Sequence, residues 1–147
     1  MKKIAFFLSV LMLAATGANA QTSELPQMTV WKSPWCGCCG GWIKHVEAAG
    51  FKVVVNDVED LDMIKSMAGI PDELESCHTA VVGNYKIEGH VPVADIKKLL
   101  ATKPDVHGLA VPGMPSGSPG MENGDLDPYK VMTFTLDGKT AVFNQYN

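Results

Sequence analysis

The sequence predicts one α/β domain, followed by a glycine- and proline-rich loop and a C-terminal β-hairpin. Three observations lead there. Short β-branched runs alternate with stretches of helical periodicity, which is the pattern of helices packed on a sheet. Two-residue turn signals, Gly83-Asn84 and Asp137-Gly138, each separate two runs of strand character. Between the helical part and the last hairpin, Gly108 to Glu122 holds three prolines and four glycines.

The N-terminus comes first. Lys2 and Lys3 precede an apolar run, Ile4 to Ala15, and a small-residue Ala18-Asn19-Ala20 step. That is the layout of a secretory signal peptide cut after Ala20, too short in its apolar part to span a bilayer. Residues 1–20 are therefore expected to be a signal peptide, and the mature chain a periplasmic protein without a membrane anchor. Residues 21–104 are expected to form the domain, 105–130 the loop packed on it, and 131–147 the hairpin.

Gln27 to Lys32 is apolar and β-branched enough for a first strand, ended by Ser33-Pro34. Cys39 to Ala49 follows as a helix, with Trp42, Ile43, Val46 and Ala49 on one face and Gly50 as its stop. Gly40 and Gly41 weaken its first turn and suggest close backbone approach. Phe51 to Asn56 reads as a buried strand. Leu61 to Ala68 reads as a short helix with Leu61, Ile64, Met67 and Ala68 inward, and Met63 and Met67 in the core. Pro71 to Glu75 suits one further helical turn. Thr79 to Val82 and Tyr85 to Val91 form a hairpin, and Val93 to Ala101 a third helix. The order is β-α-β-α-β-β-α. Gly108 to Glu122 is expected to be neither regular helix nor inner strand, and a loop of this length in a small domain is functional or disordered. Val131 to Leu136 and Thr140 to Tyr146 make the closing hairpin.

The formal net charge is −4 and the chain contains no arginine. Both features argue against nucleic acid or anionic membrane as a partner. Of the four cysteines, three are crowded into Trp35-Cys36-Gly37-Cys38-Cys39, and the fourth is Cys77, beside His78. Two structural disulfides are the ordinary expectation for an exported chain. Here one of them would close a loop within a single turn and stabilise little. Redox or metal chemistry is the better expectation for the cluster.

A strand, a cysteine turn opening a helix and then β-α-β-β-α is the thioredoxin-like pattern, and Trp35 to Cys39 resembles the W-C-G-P-C redox turn with Cys38 in place of proline. A closer resemblance is to the exported CopG-type copper-resistance proteins, a predicted metal-binding family with a thioredoxin-like fold. It is carried by Cys36-Gly37-Cys38-Cys39, Ser76-Cys77-His78-Thr79, Glu88-Gly89-His90-Val91-Pro92 and Gly108 to Glu122. The resemblance implies copper bound by Cys36, Cys38, Cys39 and Cys77, and a role in copper tolerance or copper redox chemistry. It does not establish a turnover reaction.

The residues make their own case. A cysteine at a helix N-terminus feels the positive end of the macrodipole, which favours thiolate. In thioredoxin-like folds the residue leading into the third strand faces the redox turn and is usually a cis-proline; here Cys77-His78-Thr79 stands there. Soft thiolates favour Cu(I), zinc or iron–sulfur. Adjacent Cys38 and Cys39 are awkward chelators of one tetrahedral ion, whereas bridging thiolates can serve several Cu(I) ions. The expectation is thus a small Cu(I)–thiolate cluster.

Other candidates surround it. His78 is a ligand, an outer hydrogen-bond donor or a structural histidine. His90 is expected to be structural or outer, His45 solvated, and His107 remote unless the loop folds back. Met114 and Met121 are soft thioethers able to add copper contacts or to anchor the loop. Trp35 is expected to shield the sulfurs. The leading function is a periplasmic protein that holds Cu(I) for sequestration, for transfer to other copper-handling proteins, or for Cu(I)/Cu(II) cycling. The alternative is a thiol-disulfide oxidoreductase with Cys36 attacking and Cys39 resolving.

Overall fold

The computed structural model describes residues 24–147. The signal peptide expected over 1–20 lies outside the described residues. The strands are β1 (Met28–Lys32), β2 (Val53–Asp57), β3 (His78–Val82), β4 (Tyr85–Glu88), β5 (Gly108–Ala110), β6 (Tyr129–Phe134) and β7 (Thr140–Tyr146). The helices are α1 (Gly37–Ala48), α2 (Asp62–Met67) and α3 (Val93–Thr102), with a 3-10 turn at Asp72–Leu74. The β-α-β-α-β-β-α order expected from the sequence is present, and the chain is an α/β fold.

One seven-stranded sheet runs β2-β1-β3-β4-β5-β6-β7. β1 pairs parallel with β2 and antiparallel with β3, and β3 and β4 form the predicted hairpin. Strand alternation gives the sheet two apolar faces. On one, Met28, Val30, Ala80, Val82, Ile87 and Leu109 pack with Trp42, Ile43 and Val46 of α1 and Ile96 and Leu99 of α3. On the other, Ala110 and Phe134 pack with Ala68, Ile70 and Leu74. Among the described residues no helix is long and apolar enough to cross a membrane.

Four expectations are corrected. Gly108–Ala110 is not loop but the inner strand β5, parallel to β4 and antiparallel to β6. Gly108 permits this, because a Cβ there would lie 2.1 Å from Lys86 O. β2 is an edge strand with Val54 and Val55 each 41% exposed, because β1 covers only one of its sides. Met63 and Met67 are 63% and 80% exposed, since α2 turns Lys65 inward instead. Trp35 is 88% exposed and shields nothing, because the turn holding it projects ahead of α1.

The inward lysine has a reason. Lys65 Nζ pairs with the fully buried Glu88 carboxylate and lies 3.3 Å from Thr79 Oγ1. Thr79 Oγ1 donates to Glu88 at 2.6 Å, and Ser76 N–H donates to the same carboxylate at 2.7 Å. Burial pushes the Glu88 carboxyl upward, while Lys65, Thr79 and Ser76 pull it back. A buried charge pair of this kind holds only because its remaining hydrogen-bond sites are filled. Its effect is positional: it fixes the backbone at Ser76, one residue before Cys77.

Candidate metal centre

Two elements bring the cysteines together. Cys36 is the N-cap of α1, and Cys38 and Cys39 lie in its first turn. β1 and β3 are neighbours, with Lys32 opposite His78, so the residue before β3 meets the turn after β1. Cys36 and Cys39 are joined in a disulfide, and Cys38 and Cys77 are free thiols. Cys38 Sγ lies 3.4 Å from Cys36 Sγ and 4.0 Å from Cys77 Sγ, and Cys39 Sγ lies 3.5 Å from Cys77 Sγ. All four sulfurs fall within 4.8 Å of one another. Cys39 is buried and the others are half-buried.

Cys77 does not have an activated thiol in this state. Burial, then the neighbouring Cys38, push its pKa up to about 12. Desolvation disfavours thiolate there, so a cation that binds Cys77 must displace its proton.

Two histidines complete the site. His90 Nε2 is 2.9 Å from Cys77 Sγ, and its Nδ1 is 2.8 Å from Pro119 O. His78 is fully buried, with Nδ1 3.3 Å from Cys77 Sγ. Its ring lies 4.4 Å from that of Trp42 and 5.1 Å from that of His90. Burial pushes both imidazoles below their ordinary value, well below for His78, so both are neutral near pH 7 and competent as ligands.

The glycine-rich loop folds back over α1. Gly120 has φ +88°, and a Cβ on it would stand 2.5 Å from Trp42 N and 2.6 Å from Cys38 O. From the helix side, a Cβ on Gly41 would meet Gly120 Cα at 3.0 Å, while Gly40 has open space. The close approach expected at the start of the helix is real, and it belongs to Gly41. Glu122 holds the loop by accepting from Gly120 N–H at 3.0 Å and pairing with His45 Nε2 at 2.6 Å. Gly113 N–H donates to Glu75 O at 3.1 Å, two residues before Cys77.

Cys36, Cys38, Cys39, Cys77 and His78 thus converge. His90, expected to be structural or outer, sits against Cys77; the Glu88-Gly89-His90 stretch was the only signal for it. Met114 is 53% exposed, and Met121 is half-buried one residue beyond Gly120. His107 is elsewhere, with Nε2 2.9 Å from Ala68 O.

A family model described as "Protein of unknown function, DUF411" matches residues 74–121, a span that holds Cys77, His78, His90 and Gly120. The chain is similar to a solved structure of copper resistance protein CopG in form 2. The identity is 47% and the TM-score 0.80, over 84% of this chain and 100% of that one. It is similar also to form 1, at 48% identity and TM-score 0.79, over 84% of this chain and 98% of that one. No curated protein matches it.

Proposed function

Because the chain belongs to the CopG family of copper resistance proteins, we propose that it is an exported copper-binding protein whose cargo is Cu(I). The ligands in this proposal are the thiolates of Cys36, Cys38, Cys39 and Cys77. The observation that carries it is the convergence of four sulfurs within 4.8 Å at one end of the sheet. Four thiolates balance the charge of up to four Cu(I) ions, which suits a half-buried position. Each sulfur can bridge, so a small cluster fits the quartet better than one ion. The copper-loaded form requires the Cys36–Cys39 bond to be open. An external dithiol, itself oxidised to a disulfide, supplies the two electrons and two protons that reduce it to two thiols, and each thiol gives up its proton as Cu(I) binds. Met121, next to Gly120 above Cys38, is better placed than the exposed Met114 to add a thioether contact.

Storage, transfer and redox cycling all use this chemistry. The Cys36–Cys39 disulfide favours one second function, thiol-disulfide exchange with Cys36 as the more exposed sulfur. Anaerobic Cu(I) titration of the reduced protein separates the two. The four-thiolate centre predicts more than one Cu(I) per chain and a reduced count in Cys77→Ser. Saturation at one copper, or full stoichiometry in Cys77→Ser, contradicts it. Insulin reduction at a rate insensitive to Cys77→Ser would favour the exchange enzyme.

A further inference from the structure

The sheet has two outer strands, β2 and β7, and they end it differently. An outer strand offers a row of unpaired N–H and C=O groups, which folded chains guard with bulges, charges or proline. β7 is guarded. Its register against β6 jumps from Val131↔Asn144 to Met132↔Val142, so Phe143 is an unpaired bulge residue. Lys98 Nζ lies 4.7 Å from the centre of the Phe143 ring. β2 is not guarded. Val53-Val54-Val55-Asn56-Asp57 holds no proline, keeps one register along β1 and carries a charge only at its last residue.

The register fixes which backbone groups are free. Lys52 O accepts from Met28 N–H at 2.8 Å, and Val58 N–H donates to Lys32 O at 2.9 Å. Alternation along the strand then turns the backbone of Val54 and Asn56 toward β1, and that of Val53, Val55 and Asp57 away from it. The side chains alternate too. Val55 lies beside Val30 on the face covered by α1, and Val54 beside Thr29 on the other. Both valines are 41% exposed, so the free edge is apolar on each face of the sheet.

We propose that the β2 edges of two copies of this chain pair antiparallel across a two-fold axis at Val55, joining the two sheets edge to edge. Outward backbone groups must meet outward groups, so Val55 stands opposite Val55, Val53 opposite Asp57 and Val54 opposite Asn56. Val55 with Val55 is a β-branched cross-strand pair, and no like charges stand directly opposite one another. Charge at the strand ends selects the direction. Lys52 precedes β2, whereas Asp57, Glu59 and Asp60 close and follow it. Lys52 is paired with Glu24 and Asp57 with Lys32, but Glu59 and Asp60 take no ion pair among the described residues. Antiparallel pairing sets the Lys52 end of each copy beside the acidic end of the other. Parallel pairing would set acid on acid. With β7 guarded, association closes at two copies. The cysteine turn follows the C-terminal end of β1, so the two centres fall at opposite ends of the joined sheet. The pairing does not rest on the copper function.

Sedimentation equilibrium of the metal-free protein across about 1–500 µM tests the proposal. The mass is expected to rise from one chain to two. Val55→Lys puts like charges together at the axis and should weaken association at least about tenfold. Val55→Pro removes an N–H that points away from β1, so the fold should stand. It deletes the two hydrogen bonds at the axis, with a similar weakening of about tenfold or more. Val142→Lys, on β7, should leave association unchanged. Hydrogen exchange gives a residue-level readout in the unaltered chain, and decides should a variant fail to fold. The Val53 and Val55 amides should gain protection as concentration rises, whereas Val54 and Asn56, already bonded to β1, should not. A single-chain mass throughout, or a dimer equally strong in Val55→Lys and Val55→Pro, would overturn the proposal. So would a dimer lost in Val142→Lys, or exchange at Val53 and Val55 that ignores concentration.

Discussion

The candidate centre has two walls, and they differ in construction. The first is the N-terminal turn of α1, where Cys36, Cys38 and Cys39 come from one half-buried stretch and two of them are already oxidised. The second is Cys77 with His78 and His90, set over the buried Lys65–Glu88–Thr79 network and backed by Pro119 and Gly120. The first can change its bonding by opening or closing one disulfide. The second is fixed by hydrogen bonds in a low-dielectric interior, where each lost partner is costly. In the proposed function, the rigid wall keeps Cys77 in place while the sulfurs opposite it open or close.

The sharpest way to break that contrast is to attack the rigid wall. Glu88→Ala leaves Lys65 as an uncompensated buried charge and frees Ser76 N–H, and should cost about 3–5 kcal/mol in urea unfolding. A loss under about 1 kcal/mol would mean that the network does not anchor Cys77. Next is the loop above the site. Gly120→Ala puts a Cβ against Trp42 N and Cys38 O at a positive φ, and should cost about 1–3 kcal/mol while displacing Pro119 from His90. A chemical-shift change at His90 on that substitution would report the displacement.

Acid tests the same wall in metal-free protein. His78 and His90 are depressed from 6.5 by burial, so below that value the unfolded chain binds protons that the folded chain refuses. Stability is complete above about pH 6.5 and is lost as pH falls toward the depressed folded values. The urea midpoint should therefore drop between pH 7.5 and 5.5, and His78→Gln should flatten the slope. The smallest effect belongs to the exposed latch. His45→Ala removes the His45 Nε2–Glu122 contact, with both partners about half exposed, and should cost at most about 1 kcal/mol.

How much of this the sequence carried also follows the two walls. Cys36, Cys38 and Cys39 are adjacent in the chain, so their clustering was visible before any fold. Cys77 could be placed only through strand order, because β1 and β3 must pair for it to arrive. Gly120 was hardest, since its position depends on a return of the loop that proline and glycine content allows but does not direct, whereas His90 reaches Cys77 through the β3–β4 register, which sets Gly89 N–H on His78 O. Periodicity failed at α2 for a related reason. Its Met63 and Met67 look like core residues, and only the buried Glu88 explains why Lys65 takes the inward position. Gly108 reads as loop in the sequence because it opens a stretch with three prolines and four glycines, whereas in the fold Lys86 O leaves no room for any side chain there.

The central claim is that both walls close on one copper–thiolate centre. Copper K-edge X-ray absorption of the reduced protein, loaded anaerobically with Cu(I), tests it most directly. The four-thiolate cluster predicts a first shell of sulfur together with a copper–copper scattering shell, the latter lost or weakened in Cys77→Ser. A spectrum with no copper–copper shell, unchanged in Cys77→Ser, would contradict it.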